Sequence, residues 1–435
     1  MSTDPNNPSQ DQATANQLFA AFQASQYSTF EGTMAYTVCI WMQQCLGING
    51  RFLEQQGTDY QMDDGTFDAA FFAVYQGGGL IDLRTIQAKT DKVDPFYNGV
   101  AKIWEALIIS EAADKWGDIP YSEAVSAAKT PKLDKQLDVY AALETLLDAA
   151  IAEIPADGAG GPSVVDFSYG GLPSAQAQAA AWVALAHTLK ARILLHQVAV
   201  NGGAKAGNAF YTQIAVEAAK GVAVDGSQDF NAVVGGADPT TSNGWNQFFS
   251  VSGFGSDLIA SNTLINFMNA NNDTRRTQYF AAPTPTPLAA QIDGSPRTAP
   301  NFAQPWVTGE ENALILAEAE LLRPGGNPAL AATLVNNIRT AHGEPVLGAV
   351  TLRNIIEEKW VSLFQNYEIW NDYKRTGCPD LTPTFNEPKF GGLIPRRLFY
   401  GLTEESSNPN IPDVGTQLAN GFRNANDPGP QTCPP

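Results

Sequence analysis

The 435-residue sequence predicts an all-α fold: a scaffold of tetratricopeptide-like helical hairpins with a loop-rich ligand-binding face. Three observations carry this. Apolar residues recur at helical spacing through most of 14–224 and 309–377. Small alanines sit where neighbouring helices approach, as in AWVALAHTLKARILLHQVAV, the pattern of stacked helical pairs with degenerate repeats. Between Asp225 and Thr308 the period is lost, and Gly, Asn, Ser and aromatic residues replace it.

Residues 1–13 are polar, carry Pro5 and Pro8, and read as an extended leader. Helical patterning begins at Thr14 and continues to Gly47 through Leu18, Phe19, Phe22, Tyr27, Met34, Val38 and Trp41. In Asp64–Ile86, Phe67, Phe71 and Tyr75 lie at i, i+4 and i+8; such a stripe is a core face, and Tyr75 is its candidate for stacking on a ligand. Asn98–Gly117 is the next helix, ended by Gly117 and directed away by Pro120. Gln136–Ile154 aligns Tyr140, Leu143, Leu147, Ile151 and Ile154 and stops at Pro155. Ser174–Val200 and Phe210–Val222 follow, the first closed by Asn201, Gly202 and Gly203. In the irregular region Leu258–Asn269 is a short helix and Ala281–Pro305 holds six prolines. Helices resume with GEENALILAEAELL and ALAATLVNNIRTAHG. From Thr351 to Gly377 the spacing of Leu352, Ile356, Trp360, Leu363, Tyr367 and Trp370 predicts one helix, with Thr351 as N-cap, Lys374 and Arg375 in the last turn and Gly377 at C′.

A net charge of −19, with no run of Lys and Arg longer than two, excludes a nucleic-acid partner. No stretch predicts a transmembrane helix: uncharged Phe167–Leu189 is interrupted by Gly170, Gly171, Pro173, Gln176 and Gln178. MSTDPNNPSQ has neither the basic n-region nor the apolar h-region of a signal peptide. Cys39, Cys45, Cys378 and Cys433 allow three pairings. In a continuous helix Cys39 and Cys45 would lie roughly 9 Å apart, beyond disulfide reach, so either the helix breaks there or both stay thiols. Cys378 and Cys433 flank the C-terminal tail and are placed to pin it in an oxidising compartment.

No nucleophile elbow, phosphate loop, H-E-x-x-H or C-x-x-C motif occurs, so neither a catalytic constellation nor a cofactor is read. His187 and His196, nine apart on one helix, point about 180° away from each other at ~100° per residue and do not chelate one metal from that helix. Glu311 and Glu318 share a face, as residues bonding to a neighbouring helix or to solvent would. The acidic groups at Asp63–Asp64 and in NANNDT lack EF-hand spacing, and no metal is assigned. What remains is recognition. Sugars need flat aromatics beside amides and carboxylates on loops held by a rigid frame. Trp245, Asn246 and Gln247 in one loop and Trp306 near the end of another meet that description, with Phe248 and Phe254 as further candidates in the irregular region.

The order of motifs carries a resemblance. DPNNP, WGDIPYSEA, ILAEAELL, VNNIRTAHG, YEIWNDYKRTG and then PRRLFY with NPN together resemble the SusD/RagB family of outer-membrane nutrient-binding lipoproteins. The resemblance covers most of the chain and implies a single domain over 1–435, with irregular regions at 225–308 and 378–435. It implies a binding protein rather than an enzyme, held at the extracellular face of the outer membrane. Such a protein captures an oligosaccharide or other polymer-derived ligand for a SusC-like TonB-dependent transporter. The sequence departs from the family in lacking its lipidated N-terminal cysteine, and in having Tyr367 and Glu368 where a basic residue often precedes the Trp. The alternatives are a helical-repeat scaffold for a protein partner and an all-helical glycoside hydrolase. Within this reading Trp360, Trp370, Asp372 and Arg375 serve packing and capping against the PRRL segment.

Overall fold

The computed structural model describes residues 12–54, 57–236, 241–251, 257–281 and 291–434. The DPNNP leader, Phe254 and most of the proline tract at 282–290 lie outside the described residues.

Helix α1 (Ala15–Thr29) starts at a capping box in which Thr14 Oγ1 accepts from Gln17 N–H and the Gln17 side chain from Thr14 N–H. A π-helical turn at Phe30–Met34, with non-helical backbone at Gly32, joins it to α2 (Ala35–Trp41). The chain then runs through α3 (Asp68–Tyr75), α4 (Leu80–Thr90), α5 (Pro95–Trp116), α6 (Gln136–Glu153), α7 (Ala175–His196) and α8 (Tyr211–Ala218). After the irregular region, which holds α9 (Asn262–Asn271), come α10 (Gly309–Leu322), α11 (Pro328–Ala341), α12 (Leu352–Ser362) and α13 (Glu368–Thr376). Sequential helices pack as pairs: α5 on α6, α7 on α8 and α10 on α11, with α6 on α7 and α8 on α10 continuing the stack. The predicted all-α hairpin scaffold is therefore what forms. Helix α5 is buried almost all round, its Glu105, Glu111, Asp114 and Lys115 included, and the core wraps it.

Two antiparallel ladders pin the irregular region. Strand β1 (Cys45–Gly47) pairs with β3 (Leu258–Ala260), and β2 (Phe230–Ala232) with β4 (Gln304–Val307). The expected helix at 258–269 is thus a strand followed by α9, because Leu258–Ala260 finds the free edge of β1.

One further expectation is corrected, and one left open is decided for the helix break. The single helix over 351–377 is two helices: Gln365 has φ +66°, and Asn366 Oδ1 accepts from Glu368 N–H at the start of α13. Thr351 still caps α12, and Gly377 at φ +73° ends α13. Cys39 and Cys45 are bridged, with Cα atoms 5.0 Å apart, because α2 stops at Trp41 and the chain turns back before β1. The other pair, Cys378–Cys433, pins the tail as expected and closes a sequence separation of 55 residues. Replacing Cys433 by Ser is expected to cost about 2–4 kcal/mol. It should also expose the tail to trypsin at Arg423, which gel analysis of a timed digest would reveal; an uncut tail would count against the pin.

Candidate binding site

A cavity of about 490 Å³ opens between α1, the π-helical turn, the 167 loop and the irregular region. Behind one wall Gln23 of α1 is buried, and its amide donates to Val165 C=O at 2.7 Å and accepts from Phe167 N–H at 2.9 Å. The same loop is held by Asp166, which accepts from Ser168 and Tyr169 N–H and from Trp182 Nε1–H. Burial lifts the Asp166 pKa to about 6 even against these three donors. So fixed, the Phe167 ring stands 37% exposed at the rim beside Tyr27, whose hydroxyl meets Ser168 Oγ at 2.7 Å.

Another part of the wall is formed by Ser242, Gly244 and Gln247. Asn243 is buried and holds this turn, taking Trp245 N–H on its side chain and giving its own amide to Phe302 C=O. Gln247 lines the cavity and donates to Ser242 C=O at 2.7 Å. At the floor the π-helical turn presents Glu31, of which one oxygen accepts from Gly244 N–H at 2.6 Å. Oε1 is buried and meets no hydrogen-bond donor among the described residues. Residue 244 must be glycine for this approach, since a Cβ there would lie 2.7 Å from Glu31 Cβ. Burial raises the Glu31 pKa to about 8, the Gly244 N–H opposing it. A neutral carboxyl both donates and accepts, which suits a hydroxylated ligand.

Glu31 therefore opposes folding as pH rises: the folded state holds its proton above the usual carboxylate range, so stability is lost between about 4.5 and about 8. Glu31→Gln is expected to gain on the wild type as pH climbs through that window. Urea melts at pH 5 and pH 8 test it; a difference that stays constant contradicts the assignment.

The structure brings some of the sequence-predicted residues to this site as backing. Trp245 is fully buried, edge-on to Tyr36 at 4.6 Å, and Phe248 packs on Tyr36 and Phe52. Asn246 spends its amide on Thr298 C=O. Trp306, in β4, lies against Phe30 with centroids 3.6 Å apart and against Tyr27, one layer behind the cavity. Tyr75 does not join them; it packs on Phe71, and its buried hydroxyl meets no partner among the described residues. Sequence reasoning missed Glu31, Phe167 and Ser242. Glu31 had a signal, being the only charged residue between Gln12 and Gly50.

One group of three metal-ligating types, Asp114, His196 and Glu368, is fully buried. Both His196 ring nitrogens face carboxylates, Nε2 at 2.6 Å from Glu368 and Nδ1 at 3.0 Å from Asp114. Burial pushes the imidazole pKa down, but the two carboxylates outweigh it and hold it at about 9. A doubly engaged imidazolium offers no lone pair, so this cluster is an ion network, joined by Arg192 between Glu311 and Glu368. Glu311 and Glu318 share a face as expected and reach neighbouring helices, Glu311 to Arg192 and Glu318 to Arg375.

The model of a family described as starch-binding and associating with the outer membrane matches residues 5–294 and 332–401. The chain belongs to this SusD-like family. Its fold is that of solved relatives. A chitin-binding SusD homolog from Flavobacterium johnsoniae superposes with a TM-score of 0.73 at 19% identity, over 96% of this chain and 98% of that one. A SusD/RagB family protein from Bacteroides thetaiotaomicron gives 0.69 at 19% identity, over 94% and 97%. A SusD-like protein of Bacteroidetes gives 0.73 at 16%, over 95% and 100%. At these identities the likeness is one of fold. Curated proteins searched by sequence give no match. No helix among the described residues is long and apolar enough to cross a membrane.

Proposed function

We propose that this SusD-like chain is one domain that binds a neutral oligosaccharide at the outer-membrane surface, without cleaving it, and passes it to a SusC-like TonB-dependent transporter. The observation that carries the reading is the cavity. Its lining brings together the exposed Phe167 ring, Ser242, Gln247 and the Glu31 carboxyl, which burial keeps largely protonated near neutral pH. Sugar rings use such a pairing of apolar face and hydrogen-bonding edge. Family membership supports it, as does the chitin-binding description of one fold relative. Trp245, Asn246, Phe248 and Trp306 act by holding that wall in place.

Calorimetric titration with starch and chitin oligosaccharides is the test. Binding without released products is expected, with Phe167→Ala and Gln247→Ala each weakening it about tenfold, the ~1.4 kcal/mol of one good contact. Unchanged affinity in both variants would remove the cavity as the site; no binding across a broad glycan panel would remove the function.

A further inference from the structure

We propose that the C-terminal Pro395–Arg396–Arg397 segment builds a second binding site, one for an oxyanion such as the carboxylate of an acidic sugar, in the cavity that Arg397 lines. This cavity, about 540 Å³, lies between the end of α5, the start of α6 and the tail, and none of its lining residues lines the first one. On a chain of net charge −19 its wall nevertheless gathers Lys135, Arg397 and Arg423. The two carboxylates beside them are committed. Asp118 pairs with Lys135 Nζ at 2.7 Å and accepts from Gln136 N–H at 2.9 Å. Asp427 grips Arg396 through Nε at 2.7 Å and Nη2 at 2.6 Å.

The two consecutive arginines thus differ. Arg396 is fully paired, whereas Arg397, only 9% exposed, has no carboxylate within ion-pair distance among the described residues. Its Nε donates to Leu398 C=O at 3.3 Å, and its buried Nη2 meets no acceptor. The guanidinium lies 5.1 Å from the Tyr400 ring centroid and 5.4 Å from that of Phe422, which fixes the fork. A buried cation without a counter-charge is costly, and a planar fork of N–H donors matches an oxyanion two-pronged.

Backbone acceptors do not fill this role: the nearby α5 carbonyls of Asp114 and Lys115 are taken by Lys374, Asn424 and Leu398 N–H. Asn424, which also lines this cavity, adds a second unsatisfied atom, its Oδ1, buried against Gly117 and meeting no donor among the described residues. An unsatisfied Nη2 on a fork whose Nε is already engaged, beside an unsatisfied acceptor, suits a carboxylate carrying a neighbouring hydroxyl, as a uronic acid does.

The experiment is calorimetry and thermal melting of the full chain with glucuronate, glucose and sulfate, each at ionic strength balanced by sodium chloride. Glucuronate is expected to bind and raise Tm; glucose is not. Arg397→Gln should abolish the effect. Because that change also removes packing on Phe422, Lys135→Glu serves as the second variant. It reverses the charge at the rim, should weaken glucuronate at least fivefold, and should leave neutral-glycan binding at the first cavity intact. Sulfate binding without glucuronate binding upholds the oxyanion site and overturns the acidic sugar as its source. Glucuronate and sulfate acting no more strongly than chloride, or binding unchanged in both variants, overturns the site.

Discussion

Arg375→Met is expected to lower the free energy of unfolding by about 3–5 kcal/mol, measured by urea denaturation at neutral pH. Arg375 lies on α13 and is buried with its partners. Its two terminal nitrogens reach the Glu318 oxygens on α10 at 2.5 and 2.6 Å, and Nε reaches Asp372 at 3.0 Å. Asp372 in turn holds Lys359 of α12 at 2.7 Å, and Tyr211 of α8 donates to Glu318. Removing the guanidinium leaves Glu318 with a single donor in a dry interior, and that stranded charge is the source of the loss. The double variant Arg375→Met/Glu318→Leu removes the stranded charge as well and should recover most of the stability. A single variant within ~1 kcal/mol of wild type would mean that the network does not hold α10 and α13 together.

The second large effect is expected from Trp306→Ala, again about 3–5 kcal/mol, the cost of deleting a buried indole that its surroundings cannot refill. Trp306 meets Phe30, Tyr27, Trp104 and Phe230, so the deletion empties the joint between β4 and the turn that carries Glu31. Ligand binding should fall with it, through loss of the wall. Trp306→Phe keeps an aromatic ring there and should preserve affinity at a smaller cost in stability. A folded, stable Trp306→Ala protein that no longer binds would instead make the ring a direct ligand contact.

Much of the scaffold was legible because it rests on local rules. Thr351, Ser174 and Gly377 cap helices where those residue types should, and the apolar spacing of Gln136–Ile154 gives α6 almost to the residue. The break between α12 and α13 was not legible. Leu363 and Tyr367 keep the helical spacing and are buried anyway, while the break is fixed by Asn366, whose amide donates to Trp306 C=O across 60 residues. The site suffered from the same limit. Aromatic residues in an irregular segment read as platforms, and whether a neighbouring helix covers them is a tertiary fact: Tyr36 and Phe52 cover Phe248, and Phe30 covers Trp306. Glu31 is a lone charge in an uncharged stretch, a signal passed over because its meaning depends on Gly244, more than 200 residues away.

The two small ladders fix the two points, Ala232 and Leu258, between which the chain carries Val233–Gly235 and Thr241–Gln247, since β2 is tied to β4 and β3 to β1. The first cavity draws Val233, Val234, Gly235, Thr241, Ser242, Gly244 and Gln247 from between these points, and the rest of its lining from α1, the π-helical turn and Phe167. Changing the length of a connection between fixed ends costs little, about 0.6 kcal/mol for each doubling. The protein can thus be retuned to a different ligand by exchanging one cassette, while α1, α5 and the paired helices behind it go on folding as before.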